Sequence, residues 1–239
     1  WVYPFVEGKK SGRTEEYSSC GMLTNSNTLD AGVDNGPGVY YNYSEGFSRE
    51  FIYVNDTVEG KMTEKWLNGE TKLDCSFENG LYNGTYKSWY ITGKPESEGT
   101  YVAGVKTGRW VNYHPNGKIM DEAELNDQGN YTGEYRTYDG QGRLATSGKE
   151  YTNGVLTGSF THYFTDGNKQ VVQTYNTDTL QKVESFDAAG KLLHEATASG
   201  DSVYYKSFYA DGVLLQEGWL VHGRNEGNWK QYNPLGILI

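Results

Sequence analysis

Glycines and large apolar residues recur along this chain at a fixed step. One glycine closes each polar turn that follows a pair of ring-bearing residues. These markers are Gly46, Gly69, Gly93, Gly117, Gly142, Gly167, Gly190, Gly212 and Gly236, at intervals of 22 to 25 residues. Other positions fall into register with them. Seven residues before the marker stand Met62, Tyr86, Trp110, Tyr135, Phe160, Val183, Tyr205 and Trp229. Four before it stand Trp89, Tyr113, Tyr138, Tyr163, Phe186, Phe208 and Tyr232. A second glycine column, Gly60, Gly84, Gly108, Gly133, Gly158 and Gly227, lies two residues ahead of the first apolar column. Eight after the marker come Phe77, Tyr101, Leu125, Tyr175 and Leu220, and a second turn follows at Asn79-Gly80, Ala103-Gly104, Asn153-Gly154 and His222-Gly223.

Each repeat therefore reads strand, turn, strand, turn, the pattern of short antiparallel hairpins. Glycine interrupts each half-repeat at a spacing too short for a stable helix. Tight hairpin turns at both ends disfavour a parallel solenoid. The predicted class is all-β: an elongated antiparallel β-meander of about nine hairpin repeats forming a twisted single-layer sheet. The repeat domain spans residues 38–239. Residues 1–37 show no clear repeat and are read as an N-terminal cap with an irregular arm. Eighteen strands laid flat would span about 85 Å, which twist shortens. Stability is expected as a sum over neighbouring repeats, with the terminal edge covered by a partner or by the arm.

The stretches GRWVNYHPNGK (108–118), GNWKQYNPLG (227–236), GTYKSWYITGK (84–94) and GEYRTYDGQGR (133–143) share the pattern G-x-[WYF]-x-x-[YWF]-x-x-x-G, followed by Lys or Arg in all but the second, where Ile237 follows. This pattern resembles MORN-type repeats, and more closely their bacterial variant, sometimes labelled an antitoxin family. The repeats around Gly46 and Gly190 are degenerate. The resemblance implies a stacked hairpin meander. It also implies scaffolding and protein–protein contact, with lipid contact in some members, and no defined catalytic residues.

Composition narrows the function. Lys and Arg number 21 against 31 Asp and Glu, a net charge of −10. That balance disfavours nucleic acid, whose binders neutralise phosphate, and anionic membrane surfaces. No apolar run is long enough for a transmembrane helix, so direct lipid insertion is not expected. Cys20 and Cys75 form no C-x-x-C and no zinc spacing, and a disulfide and two free thiols both stay open. The sequence begins at Trp1, so an upstream segment, such as a signal peptide with or without a lipid-attachment Cys, is expected. The Asp-[Ser/Thr]-aliphatic runs Asp56-Thr57-Val58, Asp178-Thr179-Leu180 and Asp201-Ser202-Val203 are similar to the O-glycosylation motif of Bacteroidota envelope proteins. They point to an extracytoplasmic site, in the periplasm or at the outer membrane.

Candidate chemistry is sparse. His114, His162, His194 and His222 lack metal-ligand spacing and are read as surface turn residues. Five after the marker, acids recur at Asp74, Glu98, Glu122, Glu195 and Glu217. One acid per repeat makes a ladder rather than a glycosidase pair, and Lys or Arg on adjacent strands should offset it. Gly140-Gln141-Gly142-Arg143-Leu144-Ala145 approaches a dinucleotide fingerprint but sits on a repeat turn without the required helix. The rings at Trp110 and Tyr113, three apart, are expected on opposite faces of a strand. The column Trp89, Tyr113, Tyr138, Tyr163, Phe186, Phe208 and Tyr232 is thus the candidate partner surface. The expected function is a non-catalytic scaffold without cofactors that binds one or more proteins, as an accessory subunit of a bacterial cell-envelope complex. The alternatives are a carbohydrate-binding surface that uses exposed rings and a cytoplasmic antitoxin or immunity-type protein.

Overall fold

The computed structural model describes residues 1–149 and 151–239. Among them there is no helix; the chain is strand and tight turn throughout. It forms two compact units, residues 1–117 with 127–129, and residues 118–126 with 130–239. In the first unit Gly12–Tyr17, Leu23–Asp30, Gly36–Asn42, Phe47–Val54, Thr57–Trp66, Thr71–Glu78, Leu81–Trp89, Pro95–Val102 and Val105–Tyr113 pair in succession, each antiparallel to the last. In the second, Ile119–Leu125, Tyr131–Tyr138, Leu144–Thr152, Ser159–Tyr163, Lys169–Asn176, Thr179–Phe186 and Leu192–Thr197 do the same. Ser202–Phe208, Leu214–Val221 and Arg224–Gln231 form a further three-stranded ladder. This is the single-layer antiparallel meander that the period predicts.

Two kinds of turn alternate. At Glu7-Gly8, Ala31-Gly32, Asn55-Asp56, Asn79-Gly80, Ala103-Gly104, Asn153-Gly154, Thr177-Asp178 and His222-Gly223 both residues have positive φ. That is the two-residue turn whose twist matches the strands it joins. From Glu7 to Ala103 these turns recur every 24 residues. The period thus runs through residues 1–37, where Gly12–Tyr17 and Leu23–Asp30 are regular strands. Val2 exchanges two backbone hydrogen bonds with Glu15, 2.9 and 3.1 Å, so the first residues lie along an edge of Gly12–Tyr17.

Successive turns are bonded to one another. Asp56 N donates to Asp34 O at 2.8 Å, and Gly104 N to Tyr82 O at 2.8 Å. On the marker side, Tyr90 OH donates to Tyr113 O at 2.6 Å and Lys94 Nζ to Asn116 O at 3.0 Å. The last bond explains the basic residue after the marker glycine: its long stem reaches the next turn and fills one of that turn's carbonyls.

The second glycine column has a steric purpose. Gly60, Gly84, Gly108, Gly133 and Gly227 all have positive φ. Around Gly108, Thr107 faces Thr100 and Val111 faces Glu98, so three residues oppose Gly99 alone. This β-bulge swings the Trp110 ring across Gly99. A Cβ on Gly99 would lie 2.3 Å from the indole, and one on Gly218 would lie 2.5 Å from Trp229. Large and small residues therefore alternate across the strands: Met62, Cys75, Tyr86, Gly99 in the first unit, and Ala123, Tyr135, Gly148, Phe160 in the second. Met62, Leu73 and Cys75 form one core with Phe77, Tyr82 and Tyr86 against it. Val171, Leu180, Val183, Val203 and Leu220 form the other. Both cysteines are free. Burial pushes the Cys75 thiol up to about 12, which keeps it protonated near neutral pH.

Candidate interaction surface

Glu98 and Gly99 are consecutive in a strand and so point to opposite faces. Trp110 covers Gly99, while Tyr113 OH donates to Glu98 Oε1 at 2.6 Å. The two ring columns thus lie on opposite faces, as their three-residue spacing requires. The tyrosine–acid contact recurs: Tyr138 OH donates to Glu122 at 2.7 Å and Tyr232 OH to Glu217 at 2.9 Å. At Tyr163 the partner is Ser147, at 3.0 Å.

The acid ladder carries its facing cations. Lys61 lies 2.9 Å from Asp74, Arg136 3.4 Å from Glu122, Lys182 3.3 Å from Glu195, and Lys206 3.1 Å from Glu217. Burial alone would raise the Glu217 carboxyl. Hydrogen bonds from Tyr232, Lys206 and Tyr204 outweigh it and hold that carboxyl below its usual range. The Tyr138 hydroxyl is raised, first by burial and then by its bond to Glu122. These groups are mutually satisfied, which suits a structural ladder better than acid–base chemistry.

Trp89, Tyr113, Tyr138, Tyr163, Phe186, Phe208 and Tyr232 are all half-buried. Trp89 and Tyr113 belong to the first unit and the others to the second. The exposed apolar residues on the same face are different ones. Val39, Glu50, Thr63, Asp74, Lys87, Glu98 and Val111 are register partners in one row across seven strands of the first unit. An even number of residues further along these strands, beside the two-residue turns, are Ile52 (46% exposed), Val54 (46%) and Val102 (54%). Leu81 (50%) joins them through its register partner Glu78, four residues past Asp74. The ring columns do not include these aliphatics. The signal of Val54, Leu81 and Val102 in the sequence is an aliphatic residue directly flanking a two-residue turn, with Ile52 two residues further from it.

The histidines divide. His222 occupies a turn with φ 50° and is exposed, 3.6 Å from Asp201. His162 and His194, read as turn residues, lie on strands instead, because the turn between Tyr163 and Lys169 starts after His162 and that after Phe186 ends before Leu192. Burial lowers the His162 pKa, and His194 Nε2 lies 2.9 Å from Tyr204 O. Gly140 to Ala145 begin on a hairpin turn closed by Gly142 N donating to Asp139 O at 2.8 Å. Among the described residues no group of three or more His, Cys, Asp or Glu is arranged to hold a metal ion.

A β-hairpin repeat array with a ring-over-glycine interior and a tyrosine–acid outer ladder defines the class. The MORN repeat variant family model matches two consecutive repeats of this array, residues 82–103 and 106–127. No curated protein matches it. Among solved structures it is similar to the crystal structure of TcdB2-TccC3-TEV, with 11% identity and a TM-score of 0.17 over 95% of this chain and 15% of that one. It is also similar to a Photorhabdus luminescens Tc holotoxin pore, with 11% identity and a TM-score of 0.17 over 97% of this chain and 17% of that one. The chain spans about one sixth of the length of these structures.

Proposed function

We propose that this protein is a non-catalytic scaffold whose outer sheet face docks another protein. The observation that carries this reading is the row Ile52, Val54, Leu81 and Val102, large aliphatics held 46–54% exposed on one face of the sheet. Exposed apolar rows rimmed by charge are characteristic of protein contact sites. The half-buried rings Trp89 and Tyr113 flank the same face and extend the contact. Tyr138, Tyr163, Phe186, Phe208 and Tyr232 are the corresponding column of the second unit. MORN repeats are commonly interaction repeats, which supports the reading. Residues 1–37 serve as the N-terminal cap, supported by the pairing of Val2 with Glu15 along a strand edge. The partner is a bacterial cell-envelope complex on the extracytoplasmic side. That assignment is supported by the three Asp-[Ser/Thr]-aliphatic runs.

Co-purification from native membranes tests this. The wild-type chain should be recovered with a protein complex. The Leu81→Lys/Val102→Lys double variant, checked by circular dichroism to be folded, should lose it. Recovery of the wild type alone, or equal recovery by both, overturns the reading.

A further inference from the structure

From Gly69 to Gly190, the seventh residue after each marker glycine is polar: Ser76, Thr100, Glu124, Lys149, Thr174 and Thr197. Over the same repeats the eighth residue before the marker is polar too: Lys61, Thr85, Arg109, Glu134, Ser159 and Lys182. Around Gly212 both positions carry rings instead, Tyr204 and Trp219. Neither ring belongs to the two columns that build the array. Six repeats fold with polar residues in these places, so the hairpin itself does not require the rings.

The register sets Tyr204 and Trp219 directly opposite one another on neighbouring strands. Their centroids lie 5.1 Å apart with the planes at 68°, an edge-to-face pair. Trp229 covers Gly218 on the inner face, so Trp219, the next residue, projects from the outer one. There the indole is 50% exposed. On its other side Glu226 stands directly opposite it and Arg224 diagonally, both within reach of the ring across the strand pair. Tyr204, Trp219 and Glu226 thus run in one line across three strands, with Ser202, Val221 and Arg224 in the line beside it.

The charges on this face are of two kinds. Glu217 is already taken, with Lys206 at 3.1 Å, Lys230 at 3.8 Å and the Tyr232 hydroxyl at 2.9 Å. Arg224 and Glu226 are exposed, and among the described residues neither makes a side-chain hydrogen bond or ion pair. One donor fork and one acceptor are therefore open beside a bare indole, with no net charge between them. A sugar ring matches that set: its C–H face lies on the indole, while its hydroxyls donate to the carboxylate and accept from the guanidinium. A cationic ligand is opposed by Arg224 and by Lys206, whose Nζ lies 5.7 Å from the Tyr204 ring centre. An apolar side chain would take water from Arg224 and Glu226 and return no hydrogen bond.

We infer that Tyr204, Trp219, Arg224 and Glu226 form a glycan-binding site for a neutral pyranose residue, with Trp219 as the stacking platform. A β-1,4-linked chain of gluco configuration suits it, because equatorial ring substituents leave only C–H on each face. The site belongs to the second unit and stands independently of the aliphatic docking row in the first.

Isothermal titration calorimetry with cellohexaose and chitohexaose tests it, with choline as the cationic control. At least one hexasaccharide should bind with a dissociation constant under about 1 mM. Trp219→Ala should weaken that binding about tenfold or more, and Trp219→Tyr should restore most of it. Glu226→Ala should weaken it about fivefold, the worth of one hydrogen bond. Both side chains are exposed, so the variants should fold, which circular dichroism checks. The Leu81→Lys/Val102→Lys variant should bind the sugar as the wild type does. Binding of neither hexasaccharide, tighter binding of choline, or undiminished binding by Trp219→Ala overturns the inference. Loss of a native protein complex by Trp219→Ala, with no sugar bound by the wild type, would assign the rings to protein contact and overturn it as well.

Discussion

Replacing Trp110 by alanine is expected to destabilise the protein by about 3–5 kcal/mol, the range for deleting a buried indole. Trp110 is only 4% exposed. Its ring stands edge-on to Tyr101 at 5.1 Å between centroids and lies 5.6 Å from Tyr86. Its Nε1 donates to Thr100 O at 3.2 Å, and Lys106 Nζ lies 4.0 Å from the ring centre. Collapse cannot refill the space, because the residue beneath it is Gly99 and the bulge at Gly108 fixes the backbone. In a repeat array the loss is local. Urea denaturation should therefore show one transition at lower midpoint, or a separate early transition of the first unit. A loss under about 1 kcal/mol, the usual range for surface sites, would show that the ring is not core.

The second large effect is expected at Glu64. This carboxylate is buried, its side chain 4% exposed, and two cations hold it. Arg49 Nε donates to Oε1 at 2.7 Å, with Arg49 Nη2 on the same oxygen, and Lys72 Nζ donates to Oε2 at 2.7 Å. Lys72 also stands 3.5 Å from the Phe47 ring centre. Arg49→Leu leaves a buried charge short of one partner. The cost of such a break is about 3–5 kcal/mol in a fully buried pair. Arg49 is itself 39% exposed and Lys72 remains, so the lower end, about 2–3 kcal/mol, is expected after discounting for solvent. Glu64→Leu should cost less, because Arg49 and Lys72 can turn to water. A double-mutant cycle should give a coupling clearly above that of an exposed pair, about 0.2–1 kcal/mol. Coupling within that lower range would place the pair at the surface.

The period, the hairpin turns and the opposite placement of Trp110 and Tyr113 were legible in the sequence because each depends on one residue type at one spacing. A turn with two positive-φ residues selects Gly and Asn, and a ring that crosses a strand selects Gly beneath it. Residues 1–37 hid their strands for the converse reason. Their turns are Glu7-Gly8 and Ala31-Gly32, and the buried positions between them are Thr14 and Ser26 rather than rings. The polar residues of Leu23–Asp30 read as loop, yet backbone pairing with both neighbours carries them into strand. The tyrosine–acid contact joins residues 15 or 16 apart on different strands, as in Tyr113 to Glu98. Two separate columns do not disclose that they meet until the register is known. The exposed row at Ile52, Val54, Leu81 and Val102 was obscured for a related reason. Flanking a turn, an aliphatic reads as a strand end, and only the pairing shows which face it takes.

Hydroxyl-radical footprinting with mass spectrometry of the native protein tests the central claim most directly: one ring column inside and the docking row outside on the same hairpins. Trp219, 50% exposed, serves as the internal standard for an accessible indole. The account predicts that Trp110 is strongly protected relative to Trp219, while Leu81 and Val102 are readily oxidised. Oxidation of Trp110 at a rate comparable to Trp219, with Leu81 and Val102 protected, would contradict it.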